Sequence, residues 1–252
     1  VGGPDGPFPD LDIRYHVGID GVSAWLLALT ALLTPLAIWA GYTAVTIRVK
    51  EYHALMLLLH AAMLGVFCAM DLLLFYVFFE FTLVPLYLLI GVWGGPDKTR
   101  AANKFFIYTL AASMLTLAGI LYLGALAGRH TGLVSFDMRR LAQLAASGLI
   151  DSGAQWWLFA ALLAGFAVKI PLFPLHTWLP PAHTEAPTAA SVILAGVLLK
   201  LGAYGLMRFS LPILPDAAYE FAPLMASLAL AGVIYGALAA WIQRDVDRKS
   251  VV

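Results

Sequence analysis

The sequence predicts an all-α protein, a polytopic bundle of about seven transmembrane helices, one of them discontinuous. Three observations predict it. Hydrophobic residues make up 62% of the 252 and charged residues only 12%, against about 25% charged in a soluble domain. The mean hydropathy is +0.86. Apolar windows of the roughly 20 residues that cross the hydrocarbon core recur along the chain. Lys plus Arg and Asp plus Glu both number 15, so no basic surplus points to nucleic acid. Cys68 is the only cysteine; it reads as a small core residue, with neither a disulfide framework nor a thiolate metal site possible within the chain.

Residues 1–21 are rich in Gly, Pro and Asp and lack the charged-then-apolar order of a secretory leader. They read as an extramembrane lead-in. The first residue is not methionine and the end is abrupt, so the chain is expected to be part of something longer. The bundle runs over 22–241 through spans at 22–41, 53–70, 72–93, 101–127, 156–179, 187–209 and 220–241, and 242–252 reads as a truncated cytoplasmic tail. Asp71 splits the long apolar stretch from His53 to Trp93 into a helical hairpin. Trp39, Trp93, Trp156, Trp157, Trp178 and Trp241 fall near the span ends, as an interfacial aromatic belt predicts. In the longest loop, 128–155, Ser135 is a candidate N-cap for a short helix lying on the membrane surface, with Phe136, Leu141, Leu144, Ala145 and Leu149 on one face. Eight Lys and Arg residues (48, 50, 98, 100, 104, 244, 248, 249) flank one side against five (14, 129, 139, 140, 208) on the other. The positive-inside bias puts the first group in the cytoplasm and the lead-in outside.

Three spans each carry one ionisable residue far from their ends: Glu80, Lys169 and Lys200. A charge at the bilayer centre costs at least about 2.5–3.5 kcal/mol on insertion scales, so each is a functional hypothesis. At ~1.5 Å per residue, Glu80 lies roughly 12 Å beyond Leu72, and Lys169 and Lys200 each roughly 20 Å inside their spans, the middle third of the core. Removal from water disfavours the charged form of either residue type, and a nearby opposite charge favours it. A lysine that approaches and leaves a glutamate therefore binds and releases protons as the distance changes. The competing reading is a fixed buried ion pair holding helices together.

Pro171 and Pro174 stand directly after Lys169. Neither can donate a backbone hydrogen bond, which frees the carbonyls of Ala167 and Ile170 and breaks the helix. Interrupted helices at membrane depth mark ion sites in transporters, because irregular backbone survives there only in protein or beside water; a simple kink is the plainer reading. Pro85, near Glu80, is a weaker signal of the same kind. His176 and His183 follow the break and are candidate proton relays toward the cytoplasmic face. They also have the chemistry of metal ligands, but no third convergent ligand accompanies them, and no metal is expected.

Two stretches carry a resemblance: DLLLFYVFFEFTLVPLYLLIGVWGG and KIPLFPLHTWLPPAHTEAPTAASVILAGVLLKLGAYGLMRF. From about Asp20 to Lys249 the chain resembles the antiporter-like membrane subunits of respiratory complex I, and among them the M-type members of bacterial NADH:quinone oxidoreductase and their mitochondrial subunit 4 counterparts. That resemblance implies a fragment covering about the first half of such a subunit, one half of an inverted-repeat antiporter-like fold. By it, Glu80 matches the essential glutamate of the family's fifth helix, Lys169 the lysine of its broken seventh helix and Lys200 the connecting lysine of its eighth. It implies a proton-translocating subunit with no cofactor of its own, and with NADH, FMN, iron–sulfur clusters and quinone in partner subunits. The implied partners are other membrane subunits, especially neighbouring antiporter-like ones, together with lipid and protons. The implied location is the bacterial inner membrane, or alternatively the mitochondrial inner membrane. The alternative relatives are Mrp-type cation/proton antiporters and membrane-bound hydrogenases. Pro181 stands where the family has an acidic residue and Asp247 where a lysine is common, and the second half-channel is not present in the sequence.

Overall fold

The computed structural model describes residues 10–242; the first nine residues, the tail beyond Ile242 and the departure at Asp247 lie outside the described residues. Among the described residues there are nine helices: α1 (Gly21–Gly41), α2 (Val49–Cys68), α3 (Leu72–Trp93), α4 (Lys98–Thr131), α5 (Met138–Ala146), α6 (Ser152–Lys169), α7 (Leu179–Glu185), α8 (Thr188–Ile213) and α9 (Pro215–Ile242). Six of them, α1, α2, α3, α4, α8 and α9, are long and apolar enough to cross a membrane. The seventh expected span is the discontinuous one: α6 stops at Lys169, and the chain passes through turns before resuming as α7.

Aspartates start the helices that begin at one end of the bundle. Asp20 accepts from the backbone N–H groups of Val22 and Ser23, Asp71 from Leu73 and Leu74, and Asp137 from Arg139 and Arg140. Each carboxylate satisfies donors that the first helical turn cannot pair internally. Burial pushes the Asp137 carboxyl up, but those two N–H bonds and His16, whose Nδ1 lies 2.8 Å from Oδ2, outweigh it and hold the group below its usual range. Asp137 therefore caps α5, whereas Ser135, the expected cap, lies in a short strand.

That strand, β2 (Leu133–Ser135), pairs in parallel with β1 (Asp10–Asp12). The lead-in is thus tied down rather than trailing. His16 and Gly18 bond the α2–α3 turn from one side, His16 accepting from Met70 and Gly18 donating to Cys68. The segment before α5 bonds it from the other, Phe136 accepting from Leu72 and Met138 donating to Met70. The short helix α5 does not spread its apolar face over lipid: Leu141, Leu144 and Ala145 are buried against the end of the bundle, with Phe136, while Leu149 is exposed. Gly124 makes this possible, because a Cβ there would run into the Phe136 ring.

Within the bundle, α4 and α6 approach closely through small residues. Gly119 meets Ala161, Gly165 faces Thr116, and the Thr116 hydroxyl reaches the carbonyl of Ala161 at 3.3 Å. Small residues and interhelical hydrogen bonds hold helices together where lipid offers no hydrophobic driving force between them. At 34 residues, α4 is about 51 Å long at ~1.5 Å per residue, longer than the roughly 30 Å hydrocarbon core, so it extends beyond it. Outermost is α9, which touches α6 mainly through Phe221, packed on Trp156 and Phe159.

Candidate functional site

The discontinuity is built from the proline chemistry of the sequence. With Pro171 unable to donate, the carbonyl of Ala167 accepts instead from Leu172 at 2.9 Å, one residue late, and Ile170 closes the last regular turn onto Phe166 at 2.8 Å. The carbonyl of Val168 is taken by the indole Nε1–H of Trp178 at 2.9 Å. Trp178 is 0% exposed and packs on Phe105. It belongs to the core and not to an interfacial belt, a correction that follows from the orphan carbonyl it satisfies. The other five belt tryptophans are exposed or partly exposed.

Lys169, the last residue of α6, is 2% exposed. Its Nζ donates to Thr82 Oγ1 at 3.3 Å and lies 4.5 Å from the centre of the Phe79 ring, so the ammonium has a hydroxyl and an aromatic face around it. Both contacts come from α3. Thr82 can accept because its own proton goes to the carbonyl of Phe79 at 2.7 Å, and α3 is locally irregular at Thr82, where Pro85 cannot donate to Phe81.

Glu80 lies on the same helix, and both its carboxylate oxygens are buried without a hydrogen-bond partner. Lys169 and Glu80 are neighbours in charge but do not touch: no ion pair joins them, and the lysine is engaged by Thr82. Tyr76, one turn before Glu80, also has a buried, unpartnered hydroxyl, and Ser113 of α4 faces both side chains. An unpaired buried carboxylate is costly, so this is a polar chamber with unused hydrogen-bonding capacity between α3, α4 and α6. Sequence reasoning found its two charges and missed Tyr76, Thr82 and Ser113. The only available signal was the i, i+4 spacing of Tyr76 and Glu80, which puts both on one helix face.

Lys200 stands apart. It lies midway along α8 but on an outer face, exposed, with Nζ donating to the carbonyl of Ala195 at 2.9 Å. That carbonyl belongs to a widened π-turn, Leu194–Leu198, and a second follows at Leu206–Ser210. Such turns frequently accompany functional sites. Of the three mid-span charges, Lys169 and the Glu80 oxygens are buried while Lys200 is exposed, and the extra residue of the π-turn shifts the helical phase just ahead of that lysine.

His176 sits in the break with Nδ1 buried and unpartnered; its ring stacks on Phe173 and meets Tyr235 of α9. These residues line a cavity of about 330 Å³ between the break and α9, floored by Gly232 and Gly236. His183 lies on α7, its carbonyl accepting from Ser191, and does not join that cavity. The end of α7 is clamped to the α3–α4 loop, Glu185 accepting from the N–H of Asp97 through its carboxylate and from that of Gly95 through its carbonyl. Among the described residues no group of three His, Cys, Asp or Glu side chains is placed to hold a metal.

Gly202 lets α8 press on the break: a Cβ there would lie 2.8 Å from the Phe166 carbonyl oxygen and 3.0 Å from Lys169 Cβ. Gly202→Ala is expected to destabilise the bundle by about 1–3 kcal/mol through overpacking. Thermal unfolding in detergent checks this; a wild-type midpoint would show that the helices can separate there freely.

A sequence profile of the family described as NADH:quinone oxidoreductase/Mrp antiporter, TM, matches residues 69–250. The chain belongs to this family. It is an integral membrane protein of the antiporter-like type, and its curated relatives align with nearly all of it. Over 242 residues it is 44% identical to the NADH-quinone oxidoreductase subunit M of Rhodobacter capsulatus, covering 94% of this chain and 47% of that protein. Over 241 residues it is 45% identical to an NAD(P)H-quinone oxidoreductase chain 4 of Picosynechococcus, covering 96% and 42%. Among solved structures, a chain of respiratory complex I from Thermus thermophilus with bound NADH superposes with a TM-score of 0.80 at 34% identity, over 98% of this chain and 50% of that one. A chain of the archaeal membrane-bound sulfane sulfur reductase superposes with a TM-score of 0.81 at 27% identity, over 91% and 46%. The chain spans about half the length of the relatives it matches.

Proposed function

We propose that this chain supplies a proton half-path to a membrane subunit of an NADH:quinone oxidoreductase of the complex I type, set in a bacterial inner membrane beside other antiporter-like subunits. Electron transfer from NADH through flavin and iron–sulfur centres to quinone belongs to partner subunits. This chain contributes no redox group to that transfer. The observation that carries the reading is the arrangement at the break: a fully buried lysine at the end of α6, held by one hydroxyl and one aromatic face, beside a buried glutamate whose oxygens have no fixed partner.

In this reading Lys169 has two resting places. Held on Thr82 it leaves the Glu80 carboxylate without its counter-charge; swung toward Glu80 it forms the ion pair. Each position favours a different protonation state of the pair, so a small displacement of α6 against α3 loads or releases a proton. Lys200 passes the proton toward the second half of the full-length protein. His176, with an unpartnered nitrogen beside the α9 cavity, and His183 beyond it relay protons to the basic end of the bundle.

The alternative, a stand-alone Mrp-type antiporter or a related hydrogenase-like complex, uses the same scaffold, and the likeness to the sulfane sulfur reductase chain keeps it in view. Purification of the full-length protein from its native membrane distinguishes them. Co-isolation with a peripheral arm carrying flavin and iron–sulfur clusters is the expected result; co-isolation with membrane subunits alone would sink the complex I assignment.

A further inference from the structure

The seam between α1 and α2 carries a polar group that the Glu80–Lys169 chamber does not use. Thr30 and Thr34 lie one turn apart on α1, 0% and 3% exposed, and their hydroxyls donate to the carbonyls of Leu26 at 2.7 Å and Thr30 at 2.9 Å. Opposite them stands His60, the twelfth of the 20 residues of α2, with Nδ1 2.9 Å from Thr34 Oγ1.

Taking both Thr34 contacts as hydrogen bonds assigns the ring tautomer by counting hydrogens. Thr34 owns one hydroxyl proton and gives it to the Thr30 carbonyl, so toward His60 its oxygen can only accept. Nδ1 therefore carries the proton, and Nε2 keeps a lone pair that no side chain or carbonyl among the described residues engages. At ~1.5 Å per residue His60 is roughly 17 Å from the start of α2, close to mid-membrane. An ionisable ring with a free basic nitrogen at that depth costs more than the leucine or alanine that packing alone would select.

A second observation points the same way. Pro35 follows Thr34 inside α1, and without an N–H it leaves the carbonyl of Ala31 lacking its helical donor one turn away. Free carbonyls at membrane depth persist where protein or water covers them. No Asp, Glu, Lys or Arg lies on α1, and the charged groups of α2, Lys50 and Glu51, lie in its first turn, with His53 one turn on. From the helices packed against α1 and α2, the ionisable groups away from the ends are Tyr76, Glu80, Tyr87, Lys200 and Tyr204, the last donating to the Phe67 carbonyl of α2, with Arg208 near the end of α8.

We propose that His60 is a further protonatable site of this half-path, placed at the α1–α2 seam. Nε2 takes a proton from water and returns it to water, no other bond being made or broken. The Nδ1–H bond to Thr34 stays in place in both states and orients the ring. The inference rests on the proton-path reading.

The test uses the complete complex in sealed membrane vesicles, with the rate of proton translocation and assembly measured together. His60→Asn keeps an N–H near the Nδ1 position for Thr34 and cannot titrate; His60→Gln fills more of the ring's volume and cannot titrate either. Both are expected to assemble, to pump several-fold more slowly than wild type, and to lose part of the pH dependence between about 5 and 8, where histidine titrates. Wild-type pumping by either variant, or failure of both to assemble, would overturn the proposal and leave His60 as a structural hydrogen-bond donor. Glu80→Gln measured alongside separates the two levels: if it too pumps normally, the proton-path reading itself has failed, whereas if only the His60 variants pump normally, the seam alone is ruled out.

Discussion

Lys169→Met in the full-length protein is expected to lower proton translocation by at least roughly tenfold, below the roughly 10²–10⁴-fold that a positioned proton-transfer group typically contributes, while the protein still assembles. The side chain is buried between Thr82 and Phe79. Methionine fills much of the same volume, keeps contact with the aromatic ring, and removes a charge that burial makes expensive. Removing one charge of a buried pair leaves the other uncompensated, but the Glu80 carboxyl left behind can take up a proton and become neutral rather than stay charged. Loss of pumping with normal assembly therefore isolates the titratable group. Glu80→Gln should do the same from the other side: the carboxylate oxygens make no hydrogen bond that an amide would lose, and the field at Lys169 disappears. Coupled NADH:quinone turnover should fall with pumping in both variants. If Lys169→Met pumps normally, the lysine is a packing residue; if it fails to assemble, the charge was holding α6 to α3.

The bundle was legible in the sequence because the constraint that creates it is one-dimensional. An apolar stretch long enough to satisfy its own backbone is a spanning helix whatever it packs against. The aspartates that cap α1 and α3 sit directly before such stretches, and Pro171 with Pro174 removes two donors in a place where no regular helix can replace them. Other features depend on the third dimension. Whether Trp178 met lipid or protein was decided by an orphan carbonyl ten residues earlier in the chain. Whether Ser135 or Asp137 capped α5 turned on strand pairing with Asp10–Asp12, which no local pattern announces. Thr82 and Ser113 are ordinary residues of apolar helices until the fold turns them toward Lys169 and Glu80. Lys200 illustrates the opposite limit: its depth follows from counting residues, but its direction follows from a π-turn, and nothing in the sequence LAGVLLK distinguishes a widened turn from a regular one.

That direction makes Lys200 the residue whose role an arginine can decide. Its ammonium holds the Ala195 carbonyl exposed by the π-turn, on a face of α8 turned away from the Glu80–Lys169 chamber. A fixed positive charge there would steady the widened turn and need never lose its proton; a relay must lose it. Lysine does both, whereas arginine keeps its charge with a pKa above about 12 and cannot release a proton usefully. Lys200→Met removes both functions and is expected to reduce proton translocation severalfold. Lys200→Arg is expected to resemble Lys200→Met if the residue passes protons toward the remainder of the full-length protein, since the guanidinium can still donate to the Ala195 carbonyl and so leaves the turn intact. Pumping by Lys200→Arg near the wild-type rate would show that a permanent charge suffices, and would move Lys200 from the path to the framework that shapes α8.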